Sequence, residues 1–464
     1  MYAQLAHDLA QFPALLERAA AAASAYLSRI DQVPAAAVQP MRTFTHLPED
    51  GFGAEATLAN FLERFADSMT ASTGPRYWGF VTGGTTPAAL IGDWLASTYD
   101  INLADKSNSA GPHLELEAIH LLRQLFGLPE NFSGVFVSGA TLSNFVGLAL
   151  GREWVSRQFN YSAAQDGLRT QIPVLSAEPH SSAVKSLAML GIGRSNLIRV
   201  AHMAGNREAM DVHALRTQLK ALNGAPCIVI ASAGTVNSGD FDDFSAIAAL
   251  REHYPFWLHI DAAFGGFAAC SPRLEHLMYS VAQADSITID AHKWLNVPYD
   301  SAMIFTRHPR LQAEVFQNSA AYLPELGESP DFFHLTPENS RRFRALSAWF
   351  TLLAYGKAGY REMVERHCEL AQELGIRIAA SDAFRLLAPV HLNIVCFTLH
   401  NNASPERIAA LLTHLRDDGT VFMTPTRYKG EAGIRAALVN WRTTRADLEA
   451  AWDALKRAYA ALHR

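Results

Sequence analysis

Seven short apolar runs, at residues 134–137, 173–175, 197–200, 227–231, 257–260, 286–289 and 303–306, are spaced along the middle of this 464-residue chain. Most are separated by segments of helical periodicity, such as 142–154, 212–222 and 244–253. A strand that is apolar on both faces must be covered on both faces, and strands that alternate with helices join by crossovers. This predicts an α/β fold with a mostly parallel seven-stranded sheet between helical layers, a fold in which ligands bind at the carboxyl ends of the strands.

Two further regions flank this unit. After a loop at 322–337 and a long helical stretch (342–354, then 360–380), strand-like 392–398, 421–424 and 434–439 combine with helical 405–415 and 446–462 into a smaller C-terminal α+β unit. Ser404 followed by Pro405 is a helix start, with the proline where no N–H is needed. Ahead of the main unit, residues 1–30 and 55–72 have helical spacing, with Phe61, Leu62, Phe65 and Met69 on one face. They have little core of their own and are expected to pack on another surface. The resulting division is 1–73 (helical), 74–320 (α/β) and 321–464 (loop, linking helix and small domain).

A net charge of −6 and no basic run exclude a nucleic-acid or anionic-membrane footprint, leaving a small-molecule partner. Cys227, Cys270, Cys368 and Cys396 lie far apart with no CxxC pair, so no metal site is expected and the thiols are read as reduced. Residues 1–30 carry Asp8, Glu17 and Arg18 and make a poor signal peptide, and no run approaches the ~18 apolar residues of a membrane span. The expected location is the cytoplasm.

The strand ends hold the candidate chemistry. Lys293 follows the run at 286–289 and is flanked by His292, Trp294 and Leu295. An amine taken out of water favours its neutral form, the nucleophile that forms a Schiff base with an aldehyde cofactor; a lysine can also lay its stem on apolar surface and reach water. At residues 135–144 a strand runs into Gly139, Ala140 and Thr141, which open a helix: an anion site for a phosphate, or simply a capped turn. Asp261 ends the strand at 257–260 and is followed by Ala262 and Ala263. A carboxylate there can keep a pyridine nitrogen protonated above a flat slot, or cap a helix. His180 opens a helix after another strand, where it can stack on a ring and move a proton, or serve structure alone. Gly191-Ile-Gly193 is no dinucleotide fingerprint, since Asn196 stands at the third glycine position. Each feature alone is bland. Phosphate site, aspartate and lysine, each at a strand end and in that order along the chain, are together much less so.

These residues resemble the pyridoxal-phosphate-dependent group II amino-acid decarboxylases, which include aromatic-amino-acid, tyrosine, histidine and glutamate decarboxylases. The likeness extends from about Gly74 to the C-terminus. Its most specific part is the lysine signature, from Ser286 through Lys293-Trp-Leu, Tyr299, Ile304 and Arg307, with Ser301 where the family has cysteine or alanine. The resemblance implies the type I fold of pyridoxal-phosphate enzymes and the following roles. Lys293 bonds the cofactor, Asp261 pairs with its ring nitrogen, Ala263 packs beneath the ring, and His180 stacks above it. Gly139, Ala140, Thr141 and His292 surround the phosphate, and Thr235 supports the ring side. It further implies a homodimer with the active site at the interface and the N-terminal helices wrapped on the partner.

Two departures bear on the reaction. The loop tyrosine that reprotonates the substrate carbon in aromatic-amino-acid decarboxylases falls, counting back from Arg341, on Phe332, which has no hydroxyl; Tyr322 and His334 are alternative donors. In some relatives phenylalanine there accompanies oxidative conversion to an aldehyde. Phe80-Val-Thr82 matches an aromatic-type wall, but Asp105 and Lys106 put charge where the aromatic-specific relatives are apolar, which suits a polar or cationic substrate or else protein partners and solvent. The expected activity is decarboxylation of an L-amino acid to an amine, with the aldehyde route and aminotransfer as alternatives.

Overall fold

The computed structural model describes residues 1–38, 46–107, 109–318 and 330–462. Its large sheet has seven strands: β1 (Ser133–Val137), β2 (Val174–Ser176), β3 (Leu197–Arg199), β4 (Cys227–Ser232), β5 (Phe256–Asp261), β6 (Ser286–Ile289) and β7 (Ala302–Thr306), in the order β1-β7-β6-β5-β4-β2-β3. Strands β2 to β6 pair in parallel, and β7 runs antiparallel to both β6 and β1. The reversal follows from the connection. The twelve residues 290–301 between β6 and β7 contain one tight turn, Ala291–Leu295, and no crossover helix, so the chain folds straight back. That turn carries Lys293.

The helix Ala140–Gln158 crosses the sheet face and is buried on most sides. A Cβ on Gly147 would come within 2.6 Å of the His259 ring, so only glycine lets the helix approach β5 this closely. Ser143 Oγ pins the same helix by donating to Met303 O and sharing a hydrogen bond with Thr288 Oγ1, both at 2.9 Å.

The C-terminal unit has an antiparallel sheet of β8 (Phe384–Leu386), β9 (Ile394–Leu399), β10 (Thr424–Tyr428) and β11 (Glu431–Ala437), in the order β10-β11-β9-β8. The strand pattern predicts β9 closely, starts β10 three residues early and β11 three residues late, and misses β8, a three-residue edge strand. The helix Arg344–Ala379 reaches both cores and is interrupted at Gly356 (φ 56°), between the two helical stretches read from the sequence. Residues 76–78, expected to belong with the large unit, are stitched instead to the small one. Trp78 N donates to Phe422 O and Ala437 N to Trp78 O, and the Trp78 ring is fully buried in the small domain's core.

Arg341 lies just before the long helix and forms a fully buried ion pair with Glu115 (2.7 Å). Its guanidinium also donates to the carbonyls of Leu103 and Phe136, while Glu115 accepts from Phe136 N. Removing one partner of such a pair strands the other charge. Glu115→Gln is expected to cost about 3 kcal/mol, read as a lower denaturant midpoint in urea unfolding.

Candidate active site

Strands β4, β5 and β6 end side by side, and their C-terminal residues form one pocket. Lys293, Asp261, His180, Ala263 and Thr235 all line it, joined by Phe80 and Val81 from the N-terminal side and Arg435 from the small domain. The sequence candidates that follow four strands, β2, β4, β5 and β6, therefore converge.

Asp261 is the last residue of β5 and is nearly buried. A directed chain of hydrogen bonds holds it from behind. Trp257 Nε1 donates to Ser286 Oγ (3.0 Å), Ser286 Oγ to His259 Nδ1 (2.8 Å), His259 Nε2 to Asn144 Oδ1 (2.8 Å), and Asn144 Nδ2 to Asp261 Oδ2 (3.0 Å). The Asp261 carboxylate accepts, so Asn144 faces it with Nδ2 and turns Oδ1 to the ring, which assigns the histidine its Nε2–H tautomer. Asn144 Nδ2 also reaches Ser182 Oγ (3.0 Å), which lies 2.7 Å from His180 Nδ1. Asp261 and His180 are thus tied through one amide.

Burial decides the charge of His259. Desolvation pushes it down to about 4, against a smaller opposing pull from Asp261, while His180, exposed at the pocket, is lowered by partial desolvation. For His259 the folded value lies below the unfolded one, near 6.5. Its contribution to stability is present above pH 6.5 and is lost as pH falls towards 4, because the unfolded chain then binds the proton that the folded chain refuses. About 3 kcal/mol of wild-type stability is expected to disappear over that window. Urea unfolding of wild type and His259→Gln at pH 7 and pH 4.5 should show the variant losing less stability than the wild type on acidification.

Lys293 sits in the tight turn Ala291–Leu295, where its side chain is 15% exposed. The expected apolar setting needs correcting. Phe264 does lie beneath the ammonium, at 5.8 Å, but Asp290 Oδ2 is 3.4 Å from Nζ and 3.2 Å from His292 Nε2. The turn is clamped from outside: a Cβ on Gly83 would overlap the Lys293 carbonyl, and Asn296 Oδ1 accepts from both Gly84 N and Trp441 N. Phe80 and Val81, just before this clamp, both adopt positive φ (60° and 64°), a strained arrangement for a β-branched valine, at the pocket rim.

The helix start at Gly139 fits a phosphate. The helix Ala140–Gln158 has no side-chain cap at its N-terminus, so its first N–H groups remain open to a ligand. His292 Cε1 lies 3.5 Å from where a Gly139 Cβ would stand, and His292 Nδ1 is buried without a partner among the described residues. Thr141 is exposed on the first turn, and with His180 it lines an adjoining cleft. The phosphate candidates Gly139, Ala140, Thr141 and His292 thus gather beside the Lys293 turn. Thr235 Oγ1 donates to the buried Glu208 carboxylate (2.6 Å).

Comparison with known proteins agrees with this geometry. Residues 44–400 match the family model described as the pyridoxal-dependent decarboxylase conserved domain. The chain belongs to that family. Its cofactor is pyridoxal 5'-phosphate, which the residues just described fit. Similar curated proteins include an aromatic-L-amino-acid decarboxylase of Bacillus atrophaeus, 27% identical over 86% of this chain and 84% of the relative. A histidine decarboxylase of Drosophila melanogaster is 28% identical over 80% of this chain but only 45% of its own length. A 3,4-dihydroxyphenylacetaldehyde synthase of the same fly is 24% identical over 89% of this chain and 83% of the relative. Among solved structures, Oryza sativa TDC with PLP and tryptamine superposes with a TM-score of 0.89 at 23% identity, covering 98% of both chains.

Other candidates of this decarboxylase-family chain lie elsewhere. Phe332 is 1% exposed, packed among Val135, Val137, Val146, Ala302 and Ile304 with the Arg341 guanidinium 4.6 Å over its ring. It does not line the Lys293 pocket of its own chain. His334 is buried beside it and accepts from Asn318 N, and Tyr322 lies outside the described residues. Asp105 Oδ1 accepts from Ser107 N and Oγ in a local turn, and Lys106 reaches Pro330 O and Asp331. Neither residue lines the pocket. The sequence reading missed Asn144, His259, Asp290 and Arg435. His259 and Arg435 are polar residues inside buried strands, a signal present in the sequence.

Proposed function

We propose that this enzyme decarboxylates an L-amino acid to the corresponding amine and carbon dioxide. The observation that carries the reading is the convergence of Lys293, Asp261, His180 and Arg435 on one pocket. When bound, pyridoxal phosphate supplies an electron sink for the carbon that loses its carboxylate. The chain supplies the rest. Lys293 offers the amine that bonds the cofactor, Asp261 holds the ring nitrogen's proton, Ala263 leaves room beneath the ring and His180 covers it. Gly139, Ala140, Thr141 and His292 bind the phosphate, and Thr235, fixed by Glu208, packs at the ring side.

Arg435 is the pocket's other cation. It comes from β11, donates Nη1 to Val236 O (2.9 Å), and is nearly buried with Nε unpartnered among the described residues. A planar guanidinium there suits the substrate carboxylate and would fix the bond to be broken across the ring plane. Arg435→Gln is expected to lower kcat/KM about 100-fold in steady-state carbon dioxide release, with cofactor absorbance retained.

Similarity to an aldehyde synthase supports a second product, the aldehyde, formed with uptake of oxygen and release of peroxide and ammonia. The discriminating experiment is a screen of the common amino acids, with diaminobutyrate and ornithine, recording carbon dioxide and peroxide together. Carbon dioxide without peroxide is the expected result. Equimolar peroxide would assign the aldehyde route, and amino transfer to a keto acid without carbon dioxide would overturn both.

A homodimer is part of the proposal. The helices Ala3–Ala10, Phe12–Ser28 and Ala54–Phe65 bury no residue, and Leu5, Leu9, Phe12, Leu16 and Phe61 are exposed on them. Such an apolar surface supports a second copy as its cover.

A further inference from the structure

We propose that Asp290 is a positioning residue for the cofactor phosphate, acting through His292. The inference rests on the reading that His292 binds that phosphate. Asp290 is the first residue after β6 and is 2% exposed. Its backbone is fixed, because Asp290 N donates to Ala263 O (2.9 Å) beneath the ring slot. One carboxylate oxygen, Oδ2, serves two groups, His292 Nε2 at 3.2 Å and Lys293 Nζ at 3.4 Å, and Oδ1 is buried with no partner among the described residues.

A carboxylate inside a phosphate cup is a cost unless it does something there, since two anions repel at short range in a poorly solvated site. The imidazole between them gives it a role. With Nε2 at ion-pair distance from the Asp290 carboxylate, the ring's other nitrogen, Nδ1, is the one left for a ligand. That is the nitrogen left buried and unpartnered, on a ring whose Cε1 edge meets Gly139 at the start of the phosphate-binding helix. Tyr299 closes one side of the imidazole at a 4.3 Å ring separation and is itself held by its hydroxyl donating to Thr82 Oγ1 (3.1 Å). The ring therefore has one orientation, set by Asp290 behind and Tyr299 alongside, and it turns Nδ1 to the phosphate; serving Asp290 through Nε2–H and the phosphate through Nδ1–H together takes the imidazolium form, with both nitrogens protonated. Carboxylates that orient a ligating histidine from behind commonly account for about 10- to 100-fold in affinity for what the histidine holds.

The contact with Lys293 supports a rival role, in which Asp290 serves only the amine. Two ligands separate the roles. Pyridoxal phosphate and pyridoxal both react with Lys293, but only the first carries the phosphate. Apoenzyme titrations are expected to show Asp290→Asn weakening pyridoxal phosphate about 10-fold while leaving pyridoxal unchanged, with a displaced 31P resonance of the bound cofactor. His292→Gln should do the same, and the double variant should bind no more weakly than His292→Gln alone. Equal weakening of both ligands by Asp290→Asn, or full additivity in the double variant, would overturn the role of Asp290. A His292→Gln protein with unaltered preference for the phosphorylated ligand would overturn the underlying reading of His292 instead.

Discussion

Lys293→Ala is expected to remove the visible absorbance that borohydride discharges in the wild-type holoenzyme, and to lower carbon dioxide release by about 10^4-fold or more. The argument runs from position to chemistry. Lys293 is the only lysine lining the pocket among the described residues, in a turn that both the large and the small unit hold in place through Gly83 and Asn296. No neighbouring amine can substitute, because Arg435, the other cation on the wall, is a guanidinium and does not act as a nucleophile. The fold should survive. The truncation removes a partly exposed side chain whose partner, Asp290, retains His292. An unaltered circular dichroism spectrum with no visible band is the expected pair of results. A variant that kept both the band and the activity would sink the assignment of Lys293.

The large sheet was legible because each strand has to be apolar on both faces, and that requirement leaves an unbroken signature in sequence. Lys293, Asp261 and His180 were legible for a related reason: strand ends are fixed by the fold, so polar residues placed there are noticed. The relay behind Asp261 was hidden because its members come from separate elements. Asn144 lies on a helix, His259 within β5 and Ser286 at the start of β6, and only the packing that Gly147 permits brings them together. Arg435 was hidden by domain distance, entering from β11 some 140 residues after the lysine. Asp290 was overlooked because its neighbours in sequence read as apolar, although a carboxylate three residues before a lysine on a turn can face it. The course of the chain around Phe332 was read by counting positions along a loop. The structure instead packs that side chain against β1 and β7, a placement set by tertiary contacts that a count cannot register.

Asp261→Asn is the second large effect, and it separates charge from shape. The substitution keeps the volume and one acceptor, so Asn144 Nδ2 can still donate to the new side-chain oxygen, and Trp257, Ser286 and His259 have no reason to move. What is lost is the negative charge that keeps a pyridine nitrogen protonated in a site where water does not compensate. An amide can face that nitrogen with its NH2 group but cannot stabilise a cation there. Losing one preorganised electrostatic partner of this kind costs about 10^2- to 10^3-fold. We expect carbon dioxide release to fall by about 10^3-fold while the cofactor still binds and still reacts with Lys293. Asn144→Ala provides the graded control: the carboxylate remains but loses its orienting amide, and the expected loss is smaller, about 10-fold. If Asp261→Asn retained more than a tenth of the wild-type rate, the ring-nitrogen role would be wrong. If Asn144→Ala were as damaging as Asp261→Asn, the relay would matter for the site's integrity more than for the aspartate's aim, because an orienting partner cannot be worth more than the group it orients.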